Sequence, residues 1–273
     1  MNNDRQLKKI DPETNSASDP IPLPGGTPKK MLFDGTNMWV ATWNPARVYK
    51  LRPSDNELLS TTSFEWDVLS LAFDGTYIWV THVAADYATG LVSKVRASDG
   101  EKIASYDVGS YPSSVAFDGT NLWIGNGADM TITRLRASDG QLVDTFRVDG
   151  RPSAMVFDGD TVWVGYSKLD GSLSRAATSL QRFPISDVTA FSNVSSGTVW
   201  DLHFDGTHVW RSGNGNMIVK YRISDGQNVG QFASDGGDNV MGVLYAVGHL
   251  WVSNLIGPGS RNDVVTRHWV GPP

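Results

Sequence analysis

FDGTNLW, residues 117–123, decides the fold, because it returns along the chain in six versions, each closing on a tryptophan. The anchors are Trp39, Trp79, Trp123, Trp163, Trp210 and Trp251, spaced by 40, 44, 40, 47 and 41 residues. A period of roughly 40 to 50 residues is that of a four-stranded unit of the kind that builds β-propeller blades. In the type copy, Val115 and Phe117 precede the segment Asp118-Gly119-Thr120-Asn121, and Leu122, Trp123 and Ile124 follow it. This pattern predicts strand A, a tight turn and strand B. Glycine recurs at 35, 75, 119, 159 and 206. The turn needs a residue that tolerates positive φ, and the preceding Asp bonds nearby backbone amides, so these aspartates read first as turn formers.

Strand C is expected at Thr131 to Arg136, followed by the turn Ala137-Ser138-Asp139-Gly140 and strand D at Leu142 to Phe146. Related turns stand at Ser98-Asp99-Gly100, Ser224-Asp225-Gly226 and Ser54-Asp55-Asn56. Asn56 in place of Gly respects the physics, because Asn is the next most tolerant residue in a left-handed position. The expectation is an all-β fold, a β-propeller of six blades with four antiparallel strands each, forming a single domain over residues 1–273. Seven blades is the alternative. An unpaired outer edge exposes backbone donors and acceptors, so the N-terminal segment is expected to close the ring. Residues 7–24 would supply the outermost strand of the last blade and residues 264–269 its strand C, with residues 1–6 disordered.

Composition narrows the function classes. Apolar residues make up 40% of the chain and charged residues 19%, enough for a core, while 28 Gly and 13 Pro suit many turns. A net charge of -6 argues against nucleic acid or an anionic membrane as partner, because both call for a dense basic face. No apolar run of about 18 residues is long enough to span a bilayer. The absence of Cys removes disulfides and thiolate metal sites. The N-terminus lacks an apolar signal-peptide core, which leaves localisation open: cytoplasmic, or secreted if a leader has been removed ahead of Met1.

The strings VAFDGTNLWIGN (115–126), KVRASDGEKIASYDVGSYPSS (94–114) and RLRASDGQLVDTFRVDGRPSA (134–154) resemble bacterial YVTN-type propellers and the related streptogramin lyase-like proteins. The resemblance covers almost the whole chain and implies the fold. It implies activity weakly, because the repeat is scaffold grammar shared by many functions. Streptogramin lyases are seven-bladed, metal-dependent enzymes with a His and Glu cluster. No position here matches that motif.

Strand alternation sorts the connections into two ends. A–B and C–D turns share one end, and B–C and D–A loops share the other. Phe-to-Trp spacing across the A–B turn is constant at six residues, with Tyr245 replacing Phe in the sixth copy. From the Trp to the basic residue of strand C it swings instead, as in Trp123 to Arg136 (13), Trp163 to Arg182 (19) and Trp79 to Arg96 (17). Insertions therefore collect in B–C loops, and loops on a rigid scaffold are where binding residues concentrate. The candidate face comprises Lys30, Trp43, Trp66, Asp67, His82, Asn126, Tyr166, Trp200, Asp201 and Asn254.

Within that set, His82 and its equivalents Asn126, Tyr166 and Asn254 lie three residues after an anchor Trp, where a solvated rim is the plainer expectation. Trp200 and Asp201 break a trend to small residues at the start of strand A and, with Trp43, Trp66, Asp67 and Tyr166, offer aromatic surface plus carboxylate to a sugar or peptide. A packing role for Trp200 is the plainer reading. His208 and His249 fall in A–B turns and read as structural. Carboxylates for glycosidase chemistry, such as Asp67 with Asp201, Asp86 or Asp129, have no fixed partner in the sequence. Asp235, Asp238 and Asn239 supply hard oxygen ligands without a calcium-loop spacing. The expected function is a non-catalytic binding propeller for a protein, peptide or glycan, with no catalytic residue, metal site or cofactor assigned. The alternative is a metal-dependent lyase or hydrolase of the streptogramin lyase-like group, with a divalent metal at the channel mouth.

Overall fold

A computed structural model describes residues 21–83, 88–168, 177–213, 217–233, 239–246, 249–255 and 265–268. Every regular element among them is a β-strand. The chain divides into two compact units, the first within residues 20–152 and the second within residues 153–273. In the first unit, strands β1 (Thr27–Phe33), β2 (Met38–Trp43), β3 (Arg47–Leu51) and β4 (Leu58–Ser63) form one antiparallel sheet. β5 (Val68–Phe73), β6 (Tyr77–Val83), β7 (Gly90–Arg96) and β8 (Lys102–Val108) form the next, and β9 (Pro112–Phe117), β10 (Asn121–Asn126), β11 (Thr131–Arg136) and β12 (Leu142–Arg147) the third. The second unit carries β13 (Arg151–Phe157), β14 (Thr161–Lys168), β15 (Ala177–Pro184) and β16 (Ser192–Ser196), followed by β17 (Asp201–Phe204), β18 (His208–Ser212), β19 (Met217–Arg222) and β20 (Asn228–Ala233). Its last sheet has three strands, β21 (Asn239–Ala246), β22 (His249–Leu255) and β23 (Val265–His268).

The expectation of six four-stranded blades, or of seven, is therefore corrected. Among the described residues, five blades have four antiparallel strands, and the sixth tryptophan copy builds a three-stranded sheet. The A–B hairpin of that copy forms although Ala246 stands where the other five have Asp, and the strand it lacks is D, which the sequence reading assigned to the remote N-terminal segment. β23 does pair with β22 in the place of a strand C. Most of the N-terminal segment expected to close the ring lies outside the described residues. Where it enters them, Ile21 and Leu23 pack against Val40, Tyr49 and Leu51 of the first blade.

That aspartate does two jobs in each of the five blades. One carboxylate oxygen accepts the turn amides, as when Asp118 Oδ1 takes the N–H of Thr120 at 2.8 Å and of Asn121 at 2.6 Å. The other accepts the indole N–H of the anchor: Trp39 donates to Asp34, Trp79 to Asp74 and Trp123 to Asp118 at 2.7 Å, and Trp163 to Asp158 and Trp210 to Asp205 at 2.6 Å. All five indoles are fully buried. A buried N–H without a partner costs about 1 to 3 kcal/mol, so an acceptor at this position lets a large apolar ring enter the core.

Opposite each Trp, strand C places a cation: Lys50, Lys94, Arg134, Arg182 or Lys220. The charge sits over the indole face, 5.5 Å from the Trp39 ring, 4.9 Å from Trp79 and 5.0 Å from Trp123. Several of these cations reach into the following blade. Lys50 Nζ donates to the carbonyls of Ala97 (2.6 Å) and Ser98 (3.0 Å), Lys94 Nζ to Ala137 (2.9 Å) and Ser138 (3.4 Å), and Arg182 to Ile223 and Ser224. The register thus displaces Arg96 and Arg136 from the match with Trp79 and Trp123. Each instead binds the aspartate of its own C–D turn, Asp99 at 2.7 Å and Asp139 at 2.9 Å.

Asn56 does adopt a left-handed φ of 61° in the first C–D turn. At the third, Gly140 has φ 74°, and a Cβ there would lie 2.0 Å from the Tyr106 ring of the preceding blade, so packing and backbone both demand glycine. Strand D carries a bulge at one repeated position. The register skips Leu59, Ile103, Val143 and Val229, which stay exposed. Such bulges twist and interrupt an outer edge that would otherwise invite pairing with another chain.

Removing one carboxylate tests the clasp. Asp118→Ala strands the Trp123 indole and two turn amides and is expected to lower stability by about 2 to 3 kcal/mol in urea unfolding, whereas Asp139→Ala, at an exposed ion pair, should leave the urea midpoint close to that of the wild type.

Candidate functional site

The conserved geometry of each blade occupies the A–B and C–D end. Backbone bonds tie the two turns together there, Ala97 N–H to Thr76 O and Ala137 N–H to Thr120 O, both at 3.0 Å. B–C and D–A loops carry different side chains in every blade, and the candidate residues of the two units are taken separately.

In the first unit, Trp43 leaves the end of β2 with 48% of its surface exposed, and the Lys29 ammonium stands 5.6 Å from its ring. Lys30 pairs across the sheet with Ala41. Trp66, on the loop before β5, is 37% exposed. Neighbouring Asp67 accepts the Val83 N–H through its backbone carbonyl at 3.2 Å, which ties this loop to the end of β6. Tyr111, which the sequence reading did not single out, is 38% exposed on the loop before β9. It has φ 53°, and its carbonyl accepts the Gly127 N–H at 2.8 Å.

His82 and Asn126 are not a solvated rim. Both are buried, and each heads a relay of polar side chains that crosses its blade outward. His82 Nε2 contacts Ser93 Oγ at 2.8 Å, and Ser93 Oγ contacts Ser105 Oγ at 2.8 Å. In the next blade, Asn126 Nδ2 donates to Thr131 Oγ1 at 3.0 Å and Thr133 Oγ1 at 2.8 Å, and Thr133 contacts Thr145 at 3.1 Å. The registers match, Ser93 opposite Ser105 and Thr133 opposite Thr145, so two sequences build one relay. His82 Nδ1 and Asn126 Oδ1 are buried without a hydrogen-bond partner among the described residues. Burial, followed by the nearby Lys102 charge, pushes the His82 imidazole down to about 4. The ring is neutral and packs against Phe64, 5.1 Å between centroids at a tilt of 57°.

In the second unit, Tyr166 is buried opposite Ser179. Val199 fills the space a Cβ at Gly165 would take, which brings the segment before Trp200 against β14. Trp200 is half-buried and donates its backbone N–H to Ser212 at 3.0 Å. Asp201 accepts the Leu202 N–H at 3.0 Å and the Val243 N–H at 3.3 Å, so its carboxylate links β17 to β21. Asn254 lies on β22 opposite Val240. Of the carboxylates considered for other chemistry, Asp86, Asp235 and Asp238 lie outside the described residues. Asp129 accepts the Ser110 N–H at 2.7 Å.

No protein-family model matches this chain, and no curated protein matches it. Solved structures do match. Hydrazine synthase of Kuenenia stuttgartiensis superposes with a TM-score of 0.65 at 17% identity, over 89% of this chain and 77% of that one. The WD40 repeats of RRP9 give 0.65 at 12% identity, over 85% and 75%. A nidogen/laminin complex gives 0.63 at 15% identity, over 80% and 85%. The fold is a β-propeller. Identities this low speak to the propeller fold alone, and the propeller's activity has to be argued from its own residues.

The His82 relay has a signature in pH. The unfolded chain binds a proton near 6.5 and the folded propeller only near 4, so stability is complete above about 6.5 and falls as pH drops towards 4, by about 3 kcal/mol in total. His82→Asn, which copies the blade that follows, is expected to flatten this slope in urea unfolding between those pH values.

Proposed function

We propose that this protein is a non-catalytic binding propeller that engages a protein, peptide or glycan through its B–C and D–A loops. One observation carries the reading. Among the described residues, the exposed large aromatics are Trp43, Trp66 and Tyr111, and all three stand at the B–C and D–A end of the first unit, Trp43 closing β2 and the other two on D–A loops. The remaining exposed large apolar residues are aliphatic and sit on outer strands. Aromatic side chains held in water on a stiff scaffold are costly to leave bare and are enriched where a partner covers them. At the opposite end the A–B turns expose mainly Gly and Thr, as at Gly119 and Thr120.

Trp43, Trp66, Asp67 and Lys30 supply surface in this reading, His82, Asn126 and Tyr166 stand at the strand ends from which the B–C loops leave, and Trp200, Asp201 and Asn254 hold the corresponding loop-end positions of the second unit. The YVTN-like repeat strings agree with a scaffold of this kind. A metal-dependent lyase or hydrolase makes a different forecast: stoichiometric divalent metal in purified protein, lost in His82→Ala and Asp201→Ala, would overturn the non-catalytic reading.

The direct test is a paired screen of a glycan array and a displayed peptide library. Ligands retained by the wild-type propeller are expected to be lost, by about tenfold or more in Kd, from Trp43→Ala/Trp66→Ala at unchanged Tm, and to be kept by Thr120→Arg on the opposite end. Loss with Thr120→Arg and retention by the double variant would assign binding to the wrong end and overturn the proposal.

A further inference from the structure

Beside the aromatic residues, the first unit contains a groove of about 640 Å³ between β8 of the second blade and the β11–β12 surface of the third. Asp107 and Arg147 line it, both exposed, and neither forms an ion pair among the described residues. Asp129 lines it from the B–C loop. Its floor is the Asn126 relay, since Thr131, Thr133 and Thr145 also line the groove. Gly109 lets the loop approach this floor, because a Cβ there would lie 2.6 Å from the Asn126 side chain and 2.7 Å from Asp129 Oδ2.

The Asn126 amide donates to Thr131 and Thr133, so each of these oxygens accepts and has its own proton left to give. Thr133 and Thr145 share a hydrogen bond in which either oxygen can be the donor, so the floor hydroxyls can both donate and accept. Asn126 Oδ1 is buried beneath them without a hydrogen-bond partner among the described residues. A guest therefore meets hydroxyls on the floor, carboxylate acceptors at Asp107 and Asp129, and a guanidinium donor at Arg147. The apolar lining is small, Val108 and Leu142.

We propose that this groove binds a neutral saccharide. A sugar hydroxyl both donates and accepts, so vicinal hydroxyls satisfy a carboxylate and an arginine together, and the C–H face of the ring covers Val108 and Leu142. A peptide would need pockets for alternate side chains, which two small apolar contacts do not supply. The inference rests on the reading that the B–C and D–A end is the binding end, and it deepens that reading by naming the guest.

Titration calorimetry of the full chain with cellohexaose, chitohexaose, maltohexaose and mannohexaose, each to about 5 mM, tests it. At least one is expected to bind, with Kd raised about tenfold or more by Arg147→Ala and by Asp107→Ala at unchanged Tm, because each variant removes a charge-assisted hydrogen bond from an exposed, unpaired group. Binding by none of the four, or binding unmoved by both variants, overturns the groove assignment. If a saccharide binds and is lost only from Trp43→Ala/Trp66→Ala, the binding end stands and the groove fails. If a peptide from the displayed library is retained while every saccharide is refused, the saccharide fails and the binding end again stands.

Discussion

A carboxylate that accepts a buried indole N–H is the contact on which the rest of this architecture depends. Aspartates 34, 74, 118, 158 and 205 each hold a turn with one oxygen and an anchor tryptophan with the other. The turn fixes where strand B begins, and the indole fixes how deep it sits. The buried ring then offers its face to a strand C cation, and in Lys50, Lys94 and Arg182 that cation donates to carbonyls of the next blade. Turn geometry, core packing and blade-to-blade attachment are thus three consequences of one side chain. Burying a large aromatic is worth about 2 to 3 kcal/mol only when its polar atom is also satisfied, so loss of the carboxylate removes more than one bond.

Placing all of this at one end of the blade frees the other. In the second and third blades the strand ends at the B–C side carry a polar group that reaches strand C. The loops beyond them differ in length and chemistry, and exposed aromatics stand there without disturbing a blade held together elsewhere. The same division leaves the B–C and D–A end as the place where side chains differ from blade to blade, since variation accumulates where the clasp does not act.

Much of this was legible in the sequence. The tryptophan period, the Asp-Gly turns and the left-handed Asn56 follow from local preference, and local preference is what a single sequence records. Blade number is not legible from the tryptophan copies, because Trp251 marks an A–B hairpin and nothing local to it specifies a strand D. The second duty of the aspartates was missed for a related reason: a turn explains Asp at that position, and nothing local reveals that its free oxygen meets an indole five residues on. Arg96 and Arg136 were matched to tryptophans because the eye aligns turns, whereas antiparallel register places Lys94 and Arg134 there instead. His82 and Asn126 looked like rim residues because they are polar. Their burial depends on hydroxyls at Ser93 and Thr133, which the chain supplies from another strand.

The relays show why a site on this scaffold is free to change its chemistry. Position three after the anchor holds His82 in one blade and Asn126 in the next, and each finds a hydroxyl on strand C that passes the interaction to strand D. The second and third blades share a hydrogen-bonded route from a buried strand end to the exposed outer edge, and they differ in the residue that begins it. Such a route couples the hydroxyls at the surface to the buried residue that begins it, because each shared hydroxyl donates one proton and can accept from its neighbour. Changing that buried residue therefore alters the hydrogen bonding a neighbouring groove presents to a guest, while the clasp at the far end of the blade is left untouched.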